Sequence, residues 1–248
     1  MGFVLKAQKY INFTGSIRPK PTTLIPWYLI LPALAVLLSF LLLVLRGSEA
    51  PRGRDLLLSF SGAFLLALTL LELLPEAYTA GDPRLIGAFI GLGILLQIIL
   101  EYFSRGAEHG HVHGVVPQGK FPWLLLLGLC IHALLEGVPL RGHDGFLLAI
   151  VIHKIPVALI LGGFLLRSGL SPSRCWFFMV LFALMTPLGA LAAGIPLLED
   201  LAPYLLGLVI GVLLHVATVI LFESSEGHTF NLRKLAVIVL GMVLAFLL

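Results

Sequence analysis

Residues 131–139 read IHALLEGVP and residues 152–158 read IHKIPVA, and each stretch lies inside an apolar run long enough to span a bilayer. Ionisable side chains at that depth are energetically costly, so they mark a transport pathway or a reactive site by default. His132 and Glu136 are four residues apart, which places them on one face of a helix. Together with His153 on the next helix they offer two imidazoles and one carboxylate, a set that suits one divalent metal ion.

The composition of the chain is that of a membrane protein. Of its 248 residues, 59% are hydrophobic and 12% are charged, and the mean hydropathy is +1.05. Soluble domains carry roughly twice this share of charged residues. Long continuous apolar runs favour helices over a β-barrel, whose strands alternate in segments of about ten residues. The sequence therefore predicts an all-α polytopic membrane protein.

The apolar runs divide into eight predicted spans. A hydrocarbon core about 30 Å thick needs about 20 apolar residues per helix. The runs that meet this length, the last being the shortest, are residues 25–45, 55–78, 84–106, 121–140, 146–169, 173–195, 201–222 and 232–248. No polar linker separates them, so we expect one transmembrane domain over residues 25–248. The tail of residues 1–24 precedes a run too long for the core of a signal peptide, which predicts a retained first helix.

Spans two and seven end alike, in acidic side chains. Glu72 and Glu76 close span two, and Glu223 and Glu226 close span seven. In an eight-helix bundle these two spans run in opposite directions, as they would if spans 1–3 and 6–8 were inverted copies around a central pair. The sequence therefore predicts an inverted 3+2+3 arrangement. Ordinary solvated helix caps are the alternative explanation of the acidic ends.

Basic residues in the loops give an orientation. The loops after spans two, four and six hold only Arg84 and Arg141, whereas those after spans one, three, five and seven hold Arg46, Arg52, Arg54, Arg105, Lys120, Arg167, Arg174, Arg233 and Lys234. Because cytoplasmic loops are enriched in Lys and Arg, this asymmetry predicts both termini outside the cell. Four basic residues in the N-terminal tail argue the other way. We expect the chain in the plasma (inner) membrane.

Each of the two central spans contains a proline beside its ionisable residues. Pro139 removes the donor that would bind the carbonyl of Leu135, and Pro156 does the same for Ile152. Broken helices at midplane supply backbone carbonyls to ions in transporters. The alternative is a structural kink, in which His132 hydrogen-bonds to Glu136 without any metal.

Lys154 is the unusual member of the midplane set. A buried lysine beside a cation site either becomes neutral or pairs with a carboxylate, and Glu136 is the one acid predicted at comparable depth. Such a lysine could stand where a second metal ion would otherwise bind. A side chain that snorkels to the interface is the alternative.

Further polar residues are second-tier candidates for the transport pathway. His215 lies deep in span seven, where it faces the pathway or packs against another helix. Glu72 and Glu76, with His143 and Asp144 in the next outer loop, could form an outer vestibule. On the cytoplasmic side, the loop of residues 107–120 carries a tract suited to transient metal capture, and an acidic cluster closes span seven; their members are His109, His111, His113, Glu223, Glu226 and His228.

The pattern of spans four and five resembles the ZIP (Zrt-, Irt-like) family of divalent metal transporters. The helix-four motif of that family, H-N-x-x-E-G, matches His132, Glu136 and Gly137, with Ala133 in place of the amide. Its helix-five motif H-K-x-P is similar to residues 153–156. Residues 73–77 (LLPEA) and 187–190 (PLGA) resemble the motifs of helices two and six, so the resemblance covers essentially the whole chain.

The resemblance implies a fold and a site. The family has eight core helices, outward termini, a histidine-bearing loop between helices three and four, and a metal site built by helices four and five. Members that hold two adjacent metals carry an amide or an acid at the positions of Ala133, Lys154 and Val157 and near Thr186. The departures at these positions imply one metal, bound by the side chains of His132, Glu136 and His153 with water or a freed carbonyl; Lys154 would replace the charge of the second ion.

The implied function is uptake of zinc, or of iron, cadmium, cobalt or manganese, into the cytoplasm through this midplane site. Family members move helices one, four, five and six as a block against the rest. An intramembrane metal-dependent hydrolase is the enzyme alternative, because three ligands and an open position also suit metal-activated water. A retinal-binding pump and a purely structural membrane protein are more remote.

The remaining sequence features limit cofactors and partners. The formal charge of +3 comes without a basic run or stacking motif, so no nucleic-acid role is expected. Cys130 and Cys175 fall inside spans, where cysteines behave as small hydrophobes. No cofactor is expected, since the metal is the substrate. The expected partners are the divalent ion and the lipid bilayer, and a homodimer is left open.

Overall fold

The structure, a computed structural model, describes residues 26–47, 53–104, 120–141, 143–198, 200–223 and 232–248. Over these ranges the chain is helical and contains no strand, which confirms the predicted all-α class. Each helix overlaps the span predicted at its place. The helices, numbered here in chain order, are α1 (Trp27–Leu45), α2 (Arg54–Ala80), α3 (Pro83–Ser104), α4 (Trp123–Leu140), α5 (Asp144–Arg167), α6 (Pro172–Ala192), α7 (Ala202–Glu223) and α8 (Leu232–Leu247).

The helices have the length and apolarity of membrane spans. Among the described residues, α1 to α7 are each long and apolar enough to cross a bilayer. Helix α8 has 16 residues, which reach about 24 Å at a rise of about 1.5 Å per residue, somewhat less than a hydrocarbon core. The chain is therefore an integral multi-pass membrane protein. The inverted relation between spans 1–3 and 6–8 stays a prediction.

The helices pack in two groups. In the first group, α6 lies against α4, and α1 lies against both α5 and α6. In the second, α3 lies against α7 and α2 against both α7 and α8. The groups meet where α2 packs on α5 and α3 packs on α4. Consequently, α4 and α5 belong to the first group and each lies beside a helix of the second.

Glycines bring the backbones together inside each group. A Cβ atom on Gly189 of α6 would overlap the carbonyl of Leu134 on α4, and one on Gly211 of α7 would overlap the carbonyl of Ile90 on α3. Small residues at a helix interface in lipid permit this close approach. Helix α4, which carries His132 and Glu136, is thereby fixed against its neighbour α6.

Candidate metal centre

Three ionisable side chains predicted from the sequence come together between α4 and α5. One candidate ligand atom from each of His132, Glu136 and His153 lies within 4.8 Å of the others. His132 Nε2 is 4.0 Å from Glu136 Oε2, and all three residues are buried. No other group of three such ligands is found in the described part of the chain. The arrangement offers two imidazole nitrogens and one carboxylate to a single ion.

Local helix geometry explains part of this convergence and corrects one expectation. His132 and Glu136 share a face of α4 because they are one turn apart. At the end of α4, Pro139 lies in a 3₁₀ turn, Val138–Leu140, in which the N–H of Val138 donates to the carbonyl of Leu135. The prediction that Pro139 leaves the Leu135 carbonyl without a donor is therefore wrong, because the tighter turn supplies another. Helix α5 continues through Pro156.

Lys154 pairs with the carboxylate of the centre. Its Nζ is 2.5 Å from Glu136 Oε2 and 4.6 Å from the centroid of the Phe182 ring. Only 2% of the lysine and none of Glu136 is exposed, so the side chain does not snorkel. Oε1 of Glu136 makes no hydrogen bond within the described residues. Of the alternatives that the sequence left open for Lys154, the structure shows the ion pair.

A family comparison bears on the activity of this centre. A family model described as ZIP Zinc transporter matches residues 105–248, more than half of the chain. The chain belongs to the ZIP family. It is therefore a divalent metal transporter rather than an enzyme, and a divalent metal is its substrate. The hydrolase alternative is not favoured. The match includes helices α4 to α8, and thus every residue of the candidate centre.

One neighbour of the centre in this ZIP protein was missed by the sequence analysis. Gln97 on α3 is fully buried, and its Oε1 is 3.1 Å from His132 Nδ1. The one signal in the sequence was an amide inside span three, a segment otherwise apolar up to Glu101. Polar side chains in such segments are candidates for function or for interhelical hydrogen bonds.

His215 does not join the three-residue group. Its Nε2 is 2.7 Å from Oε2 of Glu101 on α3, a residue that the sequence analysis also missed. Glu101 lies one turn after Gln97, on the same face of α3. The structure therefore pairs His215 with α3 and separates it from the centre, and its place in the pathway stays a prediction.

A second polar cluster links the end of α2 to the start of α5. His143 Nε2 is 2.5 Å from Glu76 Oε2, and its Nδ1 donates to the carbonyl of Pro139 at 2.7 Å. Glu72 lies beside Gly145, where a Cβ would come within 3.1 Å of its carboxylate. Burial lowers the pKa of His143, but the interactions with Glu76, Pro139 and Glu72 outweigh it, so that pKa is raised overall. This arrangement favours the charged imidazolium.

Several predicted residues cannot be placed. His109, His111, His113, Glu226 and His228 lie outside the described residues, as do the N-terminal tail and the side chain of Glu223. The four positions at which the sequence departs from two-metal relatives are all buried, and they add no further His, Cys, Asp or Glu to the centre; they are Ala133, Lys154, Val157 and Thr186.

Proposed function

We propose that this protein carries Zn²⁺ into the cytoplasm through a single midplane site formed by His132, Glu136 and His153. The observation that carries the proposal is the convergence of these three buried side chains within 4.8 Å. Two neutral imidazoles and one carboxylate, with water in the fourth position, make a tetrahedral shell that suits zinc. Imidazole ligation favours zinc over manganese, while Fe²⁺, Cd²⁺ and Co²⁺ could also bind.

The site is preformed but has to contract around its ion. Zinc ligands at about 2.0–2.2 Å from the metal are roughly 3.3 Å from one another in a tetrahedron. The ligand atoms of His132 and Glu136 are 4.0 Å apart, so small side-chain rotations would close the shell. Because Glu136 Oε2 also holds the ammonium of Lys154 at 2.5 Å, a metal bound through this oxygen would compete with the lysine, whereas Oε1 makes no hydrogen bond within the described residues.

Lys154 then supplies the positive charge that a second metal ion would provide. In the metal-free state it neutralises the buried carboxylate, whose isolated charge would be costly in a low dielectric. When a divalent ion binds Glu136, the lysine withdraws toward the face of Phe182, which attracts a cation. The centre therefore works with one metal, and the lysine balances charge in both states.

The proposed direction of transport, into the cytoplasm, requires an orientation of the protein, which the charge of the loops supports. The excess of basic residues after spans one, three, five and seven supports a cytoplasmic position for those loops, with both termini outside. On this orientation Glu72, Glu76 and His143 lie at the outer face. The ion would leave toward the histidine-bearing loop of residues 107–120. Because protons compete with metal for the same ligands, transport weakens in acid.

The two packed helix groups support the motion expected for the carrier. All three ligands and Lys154 belong to α4 and α5, so they travel together if α1, α4, α5 and α6 move against the other four helices. The site then changes its exposure from one side of the membrane to the other without changing its ligands.

Metal flux into proteoliposomes tests the proposal. We expect wild-type protein to carry Zn²⁺ in preference to Mn²⁺, and the variants His132→Ala, Glu136→Gln and His153→Ala to lose at least about tenfold in flux. Ser61→Ala is a matched control, because it removes a buried hydroxyl that bonds only within α2, to the carbonyl of Leu58. Folded ligand variants that carry metal at the wild-type rate would rule out the site.

The orientation needs its own test. If the N-terminus is outside, a Gly2→Cys variant in intact cells should react with a membrane-impermeant maleimide. The native cysteines Cys130 and Cys175 are buried and should give little background. Labelling only after the cells are opened would show that the N-terminus is in the cytoplasm, which is the opposite orientation.

A further inference from the structure

The hydrogen bond between Gln97 and His132 joins the two helix groups at the centre. Gln97 lies on α3, in the second group, whereas His132 lies on α4, in the first. The amide is fully buried, and its Oε1 is 3.1 Å from Nδ1 of the ring. We infer that Gln97 is a positioning residue, which fixes the metal-binding form of His132 in the arrangement seen here. The inference rests on the proposed function.

The chemistry of imidazole gives the reason. In a neutral imidazole one ring nitrogen carries a hydrogen and the other offers a lone pair. An amide oxygen only accepts hydrogen bonds. Because Nδ1 of His132 faces Gln97 Oε1, Nδ1 carries the hydrogen and donates it. The lone pair is then on Nε2, the atom that lies 4.0 Å from Glu136 Oε2. The hydrogen bond therefore presents the nitrogen that the metal requires.

The same bond strengthens the ligand. Histidines that bind metals donate their second N–H to a carboxylate, a carbonyl or water, which fixes the ring and raises the basicity of the ligating nitrogen. Gln97 supplies an amide carbonyl for this purpose in a buried environment, where the bond is stronger than in water. Loss of such a partner typically costs 10–100-fold in metal affinity.

The position of Gln97 on the second helix group makes its contact with His132 depend on how the two groups are arranged. His132, Glu136, His153 and Lys154 all lie on α4 and α5, so a movement of the first group carries them together. Gln97 stays with α3, so its distance to His132 increases and the hydrogen bond breaks. Affinity for the metal is then highest while α3 and α4 are in the present register, and it falls when α4 moves away, which favours release.

Metal affinity of the purified full-length protein tests the inference. With Zn²⁺ as the probe and a chromophoric chelator as competitor, Gln97→Leu should raise Kd about 10–100-fold. Gln97→Glu, which retains an acceptor at the same place, should restore affinity to within a few-fold of wild type. Ser61→Ala is the control and should bind as wild type does. If Gln97→Leu does not fold, Gln97→Met gives a closer match in length.

Two readouts separate positioning from a structural role. The ¹⁵N spectrum of His132 should show the Nδ1–H form in metal-free wild type and a mixture of both forms in Gln97→Leu. In proteoliposomes, Gln97→Leu should raise KM for Zn²⁺ while Vmax stays within about twofold. Unchanged Kd in Gln97→Leu, equal losses in Gln97→Leu and Gln97→Glu, or a fall in Vmax at constant KM would each overturn the inference.

Measuring His132→Ala beside these variants distinguishes failure of the proposed metal site from failure of the inference about Gln97. If it abolishes Zn²⁺ binding, the proposed site stands whatever Gln97 does, and the Gln97 variants decide the inference alone. If His132→Ala binds as wild type does, the site itself is wrong.

Discussion

Inside each helix group, backbones of neighbouring helices meet at glycines, whereas long polar side chains make contacts across the boundary between the groups. Gly189 brings α6 onto α4, and Gly211 brings α7 onto α3. Across the boundary, Gln97 reaches His132 and Glu76 reaches His143. Backbone contacts at glycine have no rotatable bond to adjust, while side chains can change partners. The difference supports two rigid groups that meet along a boundary of side-chain contacts, apolar ones included, which can be exchanged more easily than backbone contacts at glycine.

The largest effect is expected at Lys154, a polar contact inside the first group. Lys154→Met leaves the charge of Glu136 buried and uncompensated, which should lower the free energy of unfolding of the metal-free protein by about 3–5 kcal/mol. Zn²⁺ supplies a replacement charge and no longer competes with the lysine, so the variant should gain more stability from Zn²⁺ than wild type does. Unfolding in detergent, with a chelator and then with Zn²⁺, measures both effects.

Lys234→Met is the matched control for this prediction. Lys234 is half-buried and donates to the carbonyl of Leu221 at 3.3 Å. Its loss should cost much less and should not change the response to Zn²⁺. Equal behaviour of the two lysine variants would mean that the Glu136 pair has no special part in the centre.

The next largest effect tests the rigid contacts within a group. Gly189→Ala places a methyl group against the carbonyl of Leu134, and neither backbone can yield easily. We expect a loss of about 3 kcal/mol, at the upper end for an overpacked site, and a fall in the yield of monodisperse protein. Gly91→Ala is the control: nothing lies within 4 Å of its added methyl, and alanine favours the helix by about 1 kcal/mol. Similar stabilities for both variants would contradict rigid packing.

The sequence predicts contacts within a helix better than contacts between helices. The i, i+4 spacing of His132 and Glu136 and the apolar runs around them are local, so they predicted α4 and two of the proposed ligands. His153 could be added because α5 follows α4 after a short loop. Gln97 could not, because its role depends on α3 lying beside α4, and a span sequence does not specify its neighbour.

The same limit applies to two other residues. The sequence left pairing, neutralisation and snorkelling open for Lys154, since only the side-chain direction decides among them. His215 was grouped with the pathway by depth alone, but its partner is Glu101 on a helix distant in sequence. Depth in the membrane follows from sequence, whereas the direction in which a helix face points follows from packing.

A smaller effect is expected at the start of α3, away from the boundary. Asp82 Oδ1 accepts hydrogen bonds from the N–H groups of Arg84 and Leu85, each at 2.9 Å. Asp82→Ala removes this cap and should cost about 1 kcal/mol of stability, with Zn²⁺ flux unchanged. Asp144→Ala is the comparison, because α5 begins without a side-chain cap. Loss of transport in a folded Asp82→Ala protein would show that this end of α3 affects the boundary.

The smallest effect is expected at the boundary itself, in the pair of His143 and Glu76. Burial lowers the pKa of His143, but Glu76 and Glu72, with the carbonyl of Pro139, raise it above its usual value of 6.5. A raised pKa in the folded state means that the pair stabilises fully below about pH 6.5 and that this contribution is lost as the pH rises through the raised value. Both side chains are partly exposed, so the pair is worth less than about 1 kcal/mol.

Stability measured against pH for wild type and His143→Gln checks this sign. The difference in unfolding free energy should be largest near about pH 6 and should decrease as the pH rises through the raised pKa of His143. Arg141 and Asp144, which lie close to His143 in sequence, are present in both proteins, so their own contributions cancel in the difference. Glu76→Gln should reduce the pH-dependent part but not remove it, because Glu72 and the carbonyl of Pro139 still raise the pKa of His143. If either variant keeps the wild-type pH dependence, the contact that holds the groups together at this face lies elsewhere on the boundary.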